Sequence, residues 1–129
     1  MELLRDICHE MRMLVPYGTK TLAALELGGI PIAVLLGFKL GIDLIFVRKE
    51  AKTYGTCKQV EGPSVKDKSV VIIEDVVTTG SAIIEAAEVI RSLGGEVDTA
   101  VCVVNRMCSG IKNLKEVGIN LISLHEIKV

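Results

Sequence analysis

Aromatic residues are scarce: the 129-residue chain has two tyrosines, two phenylalanines and no tryptophan. Half of its residues are hydrophobic nonetheless, so the core must be aliphatic. An excess of either charge is also missing. Fifteen basic and sixteen acidic side chains leave a net charge of −1, which offers no attraction to nucleic acid or to an anionic membrane surface. No apolar run approaches the roughly twenty residues of a membrane span, and Glu2 and Asp6 stand where a secretory leader would be basic. The four cysteines, Cys8, Cys57, Cys102 and Cys108, lack the paired spacing of a zinc site and are too sparse for a disulfide scaffold. Reduced thiols follow, and with them a cytoplasmic location. His9 and His125 lie far apart in sequence, as structural or surface histidines would. Repeats, low-complexity tracts and linkers are missing as well. That leaves a single domain, large enough for one sheet covered by helices.

What is present is alternation. Residues 2–14 read as a helix that stops before Pro16, residues 21–25 as a short strand, and residues 26–29 as a tight turn. A helix follows from about Pro31 to Leu40, with proline well placed in its first turn. Residues 44–48 form the next strand. Between Glu50 and Lys68 the pattern dissolves into Lys, Gly, Thr, Ser and Pro, too long for a plain connection, and a mobile lid is expected over about 50–68. A strand from Val70, a helix over 81–93 closed by Gly94-Gly95, a strand over 97–104, a short helix over 111–117 and a strand over 120–124 complete the chain. Strands alternating with helices in this way predict an α/β fold with an open, mainly parallel sheet flanked by helices.

The most informative stretch is Val70-Val71-Ile72-Ile73-Glu74-Asp75-Val76-Val77-Thr78-Thr79-Gly80-Ser81-Ala82. Its β-branched start reads as a buried strand, and ligands of open parallel sheets gather at the carboxyl ends of strands, where Glu74 and Asp75 fall. Thr78-Thr79-Gly80-Ser81 then presents backbone N–H groups, hydroxyls and a helix N-terminus to an anion such as phosphate. Ser and Thr at this place are also ordinary helix caps. Two consecutive acids have no such packing explanation, and they suit the hydroxyls of a sugar phosphate or a hydrated divalent cation.

Three further clusters should meet at the same sheet edge. Glu26-Leu27-Gly28-Gly29 follows a strand directly, and glycine permits close approach of backbone to an anion; a Gly-Gly pair can equally be a simple turn. Arg48-Lys49-Glu50-Ala51-Lys52 leads into the long loop with Tyr54 and Lys58, and would neutralise a polyanion or merely be solvated. Asn105-Arg106 ends another strand, where the arginine fork can hold a carboxylate or carbonyl, or pair with a surface acid.

Together these residues resemble the type I phosphoribosyltransferases, and most specifically the orotate phosphoribosyltransferases. The segment from Glu74 to Ser81 resembles the superfamily's motif for phosphoribosyl diphosphate (PRPP). Phe46-Val47-Arg48-Lys49-Glu50-Ala51-Lys52-Thr53-Tyr54-Gly55-Thr56, through Glu61-Gly62, resembles the orotate enzymes' catalytic loop, and Glu26-Leu27-Gly28-Gly29-Ile30-Pro31 their pyrophosphate loop. Asn105-Arg106 to Asn113-Leu114 follows the family pattern more loosely. The likeness covers the chain from about Val15 onward.

The resemblance implies transfer of ribose 5-phosphate from PRPP to orotate, with Mg²⁺ as the cofactor, carried mainly on PRPP and reached by Glu74 and Asp75 through water. It implies catalytic roles for Lys49, Lys52, Glu74 and Asp75. PRPP would be bound by Arg48, Lys49, Lys52, Tyr54, Glu74, Asp75, Val76, Val77, Thr78, Thr79, Gly80, Ser81 and Ala82. Glu26, Leu27, Gly28 and Gly29 would hold the pyrophosphate end, and Thr78 and Arg106 would contact orotate. A homodimer with shared active sites is implied, Lys52 being the position that reaches the partner. The chain departs from the pattern in starting where the family's first core helix is under way, so that the N-terminal hood is expected to be reduced or absent. It also has Asn105 in place of the usual Asp and Met107-Cys108-Ser109 in place of an acidic, Gly-containing turn. Two other readings accommodate those departures: a phosphoribosyltransferase for another base, and a non-catalytic PRPP-binding or nucleotide-binding regulator or truncated relic.

Overall fold

The computed structural model describes residues 1–49 and 59–128. Helix α1 (Glu2–Met11) runs into a 3-10 turn (Arg12–Leu14) and leads to strand β1 (Thr21–Leu25). Then come α2 (Gly29–Leu40), β2 (Asp43–Val47), β3 (Val60–Glu61), β4 (Ser69–Val77), α3 (Ser81–Ser92), β5 (Glu96–Asn105), α4 (Gly110–Glu116) and β6 (Asn120–Glu126). The strands form one sheet in the order β3-β2-β1-β4-β5-β6. All neighbours are parallel except β3, which returns antiparallel along β2 through Phe46↔Glu61 and Val47↔Val60.

Helices cover both faces, which is why β1 is buried at all five positions and β4 carries an unbroken apolar run from Val70 to Ile73. On one face Cys8 and Met11 of α1 and Ile32, Ala33 and Leu36 of α2 pack on Leu22, Ala24, Val71, Ile73 and Val101. On the other, Ile83, Ala87 and Ile90 of α3 and Leu114 of α4 pack on Leu25, Ile45, Ile72 and Cys102. Alternate residues of β4 therefore serve opposite cores. Each fully buried aliphatic side chain contributes about 1.5–3 kcal/mol, and aromatic residues are not needed.

Several elements depart from the sequence expectation. The first helix gives way to the 3-10 turn after Met11, and the chain turns extended at Val15, whose ψ of 122° suits the residue before a proline. Helix α2 begins two residues ahead of Pro31, which stays in the first turn, where a missing N–H costs nothing. The expected lid over 50–68 divides: residues 50–58 lie outside the described residues, while residues 59–68 carry β3 and bury Val65 to 3% exposure. Among the described residues no helix is long and apolar enough to cross a membrane.

One difference shapes the molecule's crevice. Glu74 and Asp75 do not follow the strand; they lie inside it, because β4 runs on to Val77. The pairing of β4 with β1 ends at Ala24↔Ile73, whereas its pairing with β5 continues through Val76↔Val104 and Val77↔Asn105. From Glu74 onward β4 has a ladder on one side only. The gap opens where β1 leads through α2 to β2 on one side while β4 leads through α3 to β5 on the other, the position at which open parallel sheets take ligands.

Candidate active site

Four strand ends meet at this edge. Past β4 the backbone turns into α3 through Gly80, which has φ of +83° and caps the helix; a left-handed conformation suits glycine. Gly80 has no side chain to cap α3, and among the described residues only Thr79 Oγ1 reaches one of its first N–H groups, so the others remain open to a ligand. Thr79 Oγ1 donates to Ser81 Oγ (3.3 Å) and accepts from Ser81 N–H (3.4 Å), which draws the turn tight. A cavity of about 180 Å³ is lined by Glu74 and residues 76–83. Thr78, Thr79, Ser81 and Ala82 are exposed there, whereas Val77 and Gly80 are buried and offer backbone only.

The two carboxylates leave opposite faces of the strand, yet their side chains still meet. Glu74 joins the lining of that cavity and shares its register position with Cys102. Asp75 lies against Gly28 at the start of the turn after β1. Asp75 N–H donates to Glu74 Oε1 (3.0 Å), and Val76 N–H to Asp75 Oδ1 (2.7 Å). Burial pushes the Glu74 carboxyl up to about 7, and the side chain of Asp75 adds to that; the Asp75 N–H bond and the Lys49 charge act against it. Beneath them Cys102 is pushed up to about 12 by burial, with the two carboxylates adding to the effect.

Across the crevice the turn over 26–29 is fitted to β4. A side-chain carbon on Gly29 would run into the Ile73 carbonyl, and one on Gly28 into the Asp75 carboxylate. The peptide bond between Glu26 and Leu27 is cis. Glu26 Oε1 accepts Lys49 N–H at 2.5 Å, which fastens this turn to the end of β2. Lys49 is exposed and close enough for its charge to act on Glu74. Arg48 is placed differently: its guanidinium pairs with Glu61 on β3 at 3.6 Å, and its backbone exchanges bonds with Gln59. Lys52 and Tyr54 lie outside the described residues.

The fourth strand end brings Arg106 alongside. Its N–H donates to Val77 O at 2.9 Å, which sets it one residue from Thr78, and its side chain is exposed. Asn105 is buried and accepts Met107 N–H on Oδ1 (3.1 Å), shaping a turn in which Met107 has φ of +55°. The structure thus unites Glu26 to Gly29, Lys49, Glu74 to Ala82 and Arg106, and ties Arg48 to β3. It also adds Asn113 on α4, to which sequence reasoning gives no role: Asn113 Nδ2 donates to Thr79 O at 2.9 Å. A polar residue on a short surface helix carries no local sign of such a partner.

The donor set suits a hard divalent cation. Mg²⁺ keeps much of its water and leans on one or two carboxylates together with substrate phosphates, and Glu74 and Asp75 supply two oxygen-bearing side chains. Among the described residues no three or more metal-ligating side chains cluster, so a cation held here would depend on a phosphate ligand for the remainder of its shell.

Comparison with known proteins agrees with this geometry. Residues 2–123 match the phosphoribosyl transferase domain family. An orotate phosphoribosyltransferase from a Nocardioides species is 45% identical over 120 residues, covering 93% of this chain and 67% of that protein. The crystal structure of orotate phosphoribosyltransferase from Aeropyrum pernix superposes with a TM-score of 0.82 at 32% identity, over 98% of this chain and 73% of that one. The Mycobacterium tuberculosis orotate phosphoribosyltransferase in complex with PRPP gives a TM-score of 0.84 at 28% identity, over 95% and 72%. The match over nearly the whole chain, in sequence and in fold, shows that it belongs to the phosphoribosyltransferase family, among the orotate phosphoribosyltransferases.

Proposed function

We propose that this chain transfers ribose 5-phosphate from PRPP to N1 of orotate, releasing orotidine 5′-phosphate and pyrophosphate. The parting of β4 from β1 after Ile73 carries this reading. It sets an anion-binding turn over 78–81 and the Gly28-Gly29 turn on opposite sides of Glu74 and Asp75. A ligand with a phosphate at one end, a diphosphate at the other and hydroxyls between them has a matching group for each part.

The bonds broken are from the anomeric carbon of PRPP to the diphosphate oxygen and from orotate N1 to its hydrogen, whose proton passes to the departing diphosphate or to water; the bond formed is from that carbon to orotate N1. Positive charge develops on the ribose as the diphosphate leaves with its electron pair. Free N–H groups of the turn grip the 5′-phosphate, and Glu74 and Asp75 hold the ribose hydroxyls and face the developing charge. The backbone of Gly28 and Gly29 and the Lys49 ammonium meet the diphosphate, and Lys52 and Tyr54 join them by the family resemblance. The Arg106 fork takes the orotate carboxylate or a ring carbonyl, with Thr78 beside it. A bound Mg²⁺ would lower the charge of the departing diphosphate.

The deciding assay is orotate consumption followed by its ultraviolet absorbance, with PRPP and Mg²⁺, beside pyrophosphate release from a panel of other bases. Orotate-dependent turnover that stops on chelation is the expected result. Release with another base and none with orotate would overturn the assignment of substrate.

We also propose a cytoplasmic homodimer with shared sites. Leu27, Val34 and Phe38 form an exposed apolar stripe running from the Gly28-Gly29 turn along α2, and a second copy would cover it. Sedimentation should give twice the chain mass. Mixing inactive Lys52→Ala with inactive Asp75→Asn subunits should restore activity, and no recovery would argue against sharing.

A further inference from the structure

Helix α4 touches no part of the 180 Å³ cavity, yet it is built onto the back of the turn that lines it. A side-chain carbon on Gly80 would meet Leu114 Cγ at 2.9 Å, and one on Gly110 would meet Val77 Cγ1 at 2.8 Å and Thr78 O at 3.2 Å. The polar link in this contact is Asn113. Both hydrogens of its amide are engaged, one with Thr79 O (2.9 Å) and one with Ser109 Oγ (3.0 Å). Thr79 and Asn113 are 34 residues apart, so no local preference of either segment creates the bond.

We infer that Asn113 is a positioning residue for the phosphate-binding turn. In a trans peptide the carbonyl and the following N–H point in opposite directions. Only the peptide between Glu26 and Leu27 is cis among the described residues, so the rule holds for Thr79-Gly80. With Thr79 O drawn back onto α4, Gly80 N–H faces away from α4, toward the cavity. Asn113 thereby fixes a donor that it never touches. Ser109 sits in the turn that begins at Arg106, so the brace also connects the orotate side of the crevice to the phosphate side. Without Asn113 the Thr79 carbonyl turns to water, and the Thr79-Gly80 peptide loses its fixed orientation before the ligand arrives. The ordering then falls on binding, and affinity drops by the fraction of time the turn is competent.

This inference rests on the proposed assignment of the 78–81 turn to the 5′-phosphate and of the 26–29 turn to pyrophosphate. The test therefore uses two ligands, ribose 5-phosphate and pyrophosphate with Mg²⁺, each titrated calorimetrically into the full chain. Asn113→Leu keeps the branched shape and removes both donors; Asn113→Ala removes the amide altogether, and leucine and alanine both favour a helix. Both variants should weaken ribose 5-phosphate by about tenfold, the scale of one hydrogen bond and its ordering, while pyrophosphate stays within about twofold. In turnover the KM for PRPP should rise while kcat changes little. Equal weakening of both ligands, or of neither, overturns the role of Asn113. A wild-type chain that binds neither ligand overturns the assignment of the site itself, and Asn113 with it.

Discussion

Three glycines within ten residues separate function from stability in this site. Replacing Gly28 by alanine puts a methyl group onto the carboxylate of Asp75: it would overlap Oδ2 and Cγ and lie 2.7 Å from Oδ1. Carbon needs about 3.5 Å from such neighbours, so the carboxylate must retreat by about 1 Å or more. Asp75 is half-exposed, at the end of a short side chain anchored by one bond from Val76 N–H, and it can rotate away cheaply. The fold should therefore lose only about 1 kcal/mol. Activity is another matter, because the displaced group is the one proposed to hold the ribose. A displacement of that size at a reacting centre costs about 100-fold. Gly29→Ala meets the Ile73 carbonyl instead, in the backbone of the central strand, which has nowhere to go; here about 3 kcal/mol and about 10 °C in Tm should be lost. Gly37→Ala, in the interior of α2, finds only Ile42 O at 3.5 Å and Leu44 Cβ at 4.0 Å, and should stabilise by about 0.5–1 kcal/mol with unchanged activity. Steady-state kinetics with PRPP and thermal melts on the three variants decide the matter. A Gly28→Ala chain with the wild-type kcat/KM for PRPP would show that the Asp75 carboxylate has no part in holding the ribose.

Stability should fall as pH rises from about 4.5 to about 7 in the absence of ligands, since native Glu74 keeps a proton that the unfolded chain has released. After allowance for solvent at this partly open group the loss is roughly 1–2 kcal/mol, and Glu74→Gln should remove it from urea titrations at pH 5 and pH 8. Cys102, buried and pushed up to about 12, should resist iodoacetamide under native conditions while the exposed Cys108 is alkylated, as peptide mass spectrometry will show; early labelling of Cys102 would contradict its packing. Arg106→Ala should raise the orotate KM at least tenfold with little effect on PRPP binding, and an equal rise in both would place the arginine elsewhere in the site.

The parts of the site that touch ligand in this reading are contiguous in sequence, and that is why they were legible. A strand that ends in a turn brings neighbouring residues into one place, so Glu26 to Gly29 and Glu74 to Ala82 each announce themselves in a single reading of the chain. The aliphatic run from Val70 to Ile73 marked the central strand for the same reason. What was not legible depends on residues distant in sequence. Strand β3 has two residues and no period; it exists because Arg48 N–H donates to Gln59 O, the Gln59 side-chain amide donates back to Arg48 O, and Arg48 finds Glu61. That same ion pair turns the Arg48 guanidinium toward β3, while its neighbour Lys49 is exposed and bonded to Glu26. Glu74 and Asp75 read as the end of a strand because polarity rises there, yet β5 continues to supply partners that β1 does not. The unequal ladder makes the crevice, and no local pattern in β4 reports the length of its neighbours. Asn113 completes the argument. A turn whose N–H groups are to face an anion has few of them left to bond its own carbonyls, and here the Thr79 carbonyl finds its donor on α4. The carbonyl must be satisfied from the next crossover helix, by a donor whose sequence position is set only by the packing of α4. Changing that donor should therefore alter the grip on a bound phosphate without altering any residue of the 78–81 turn.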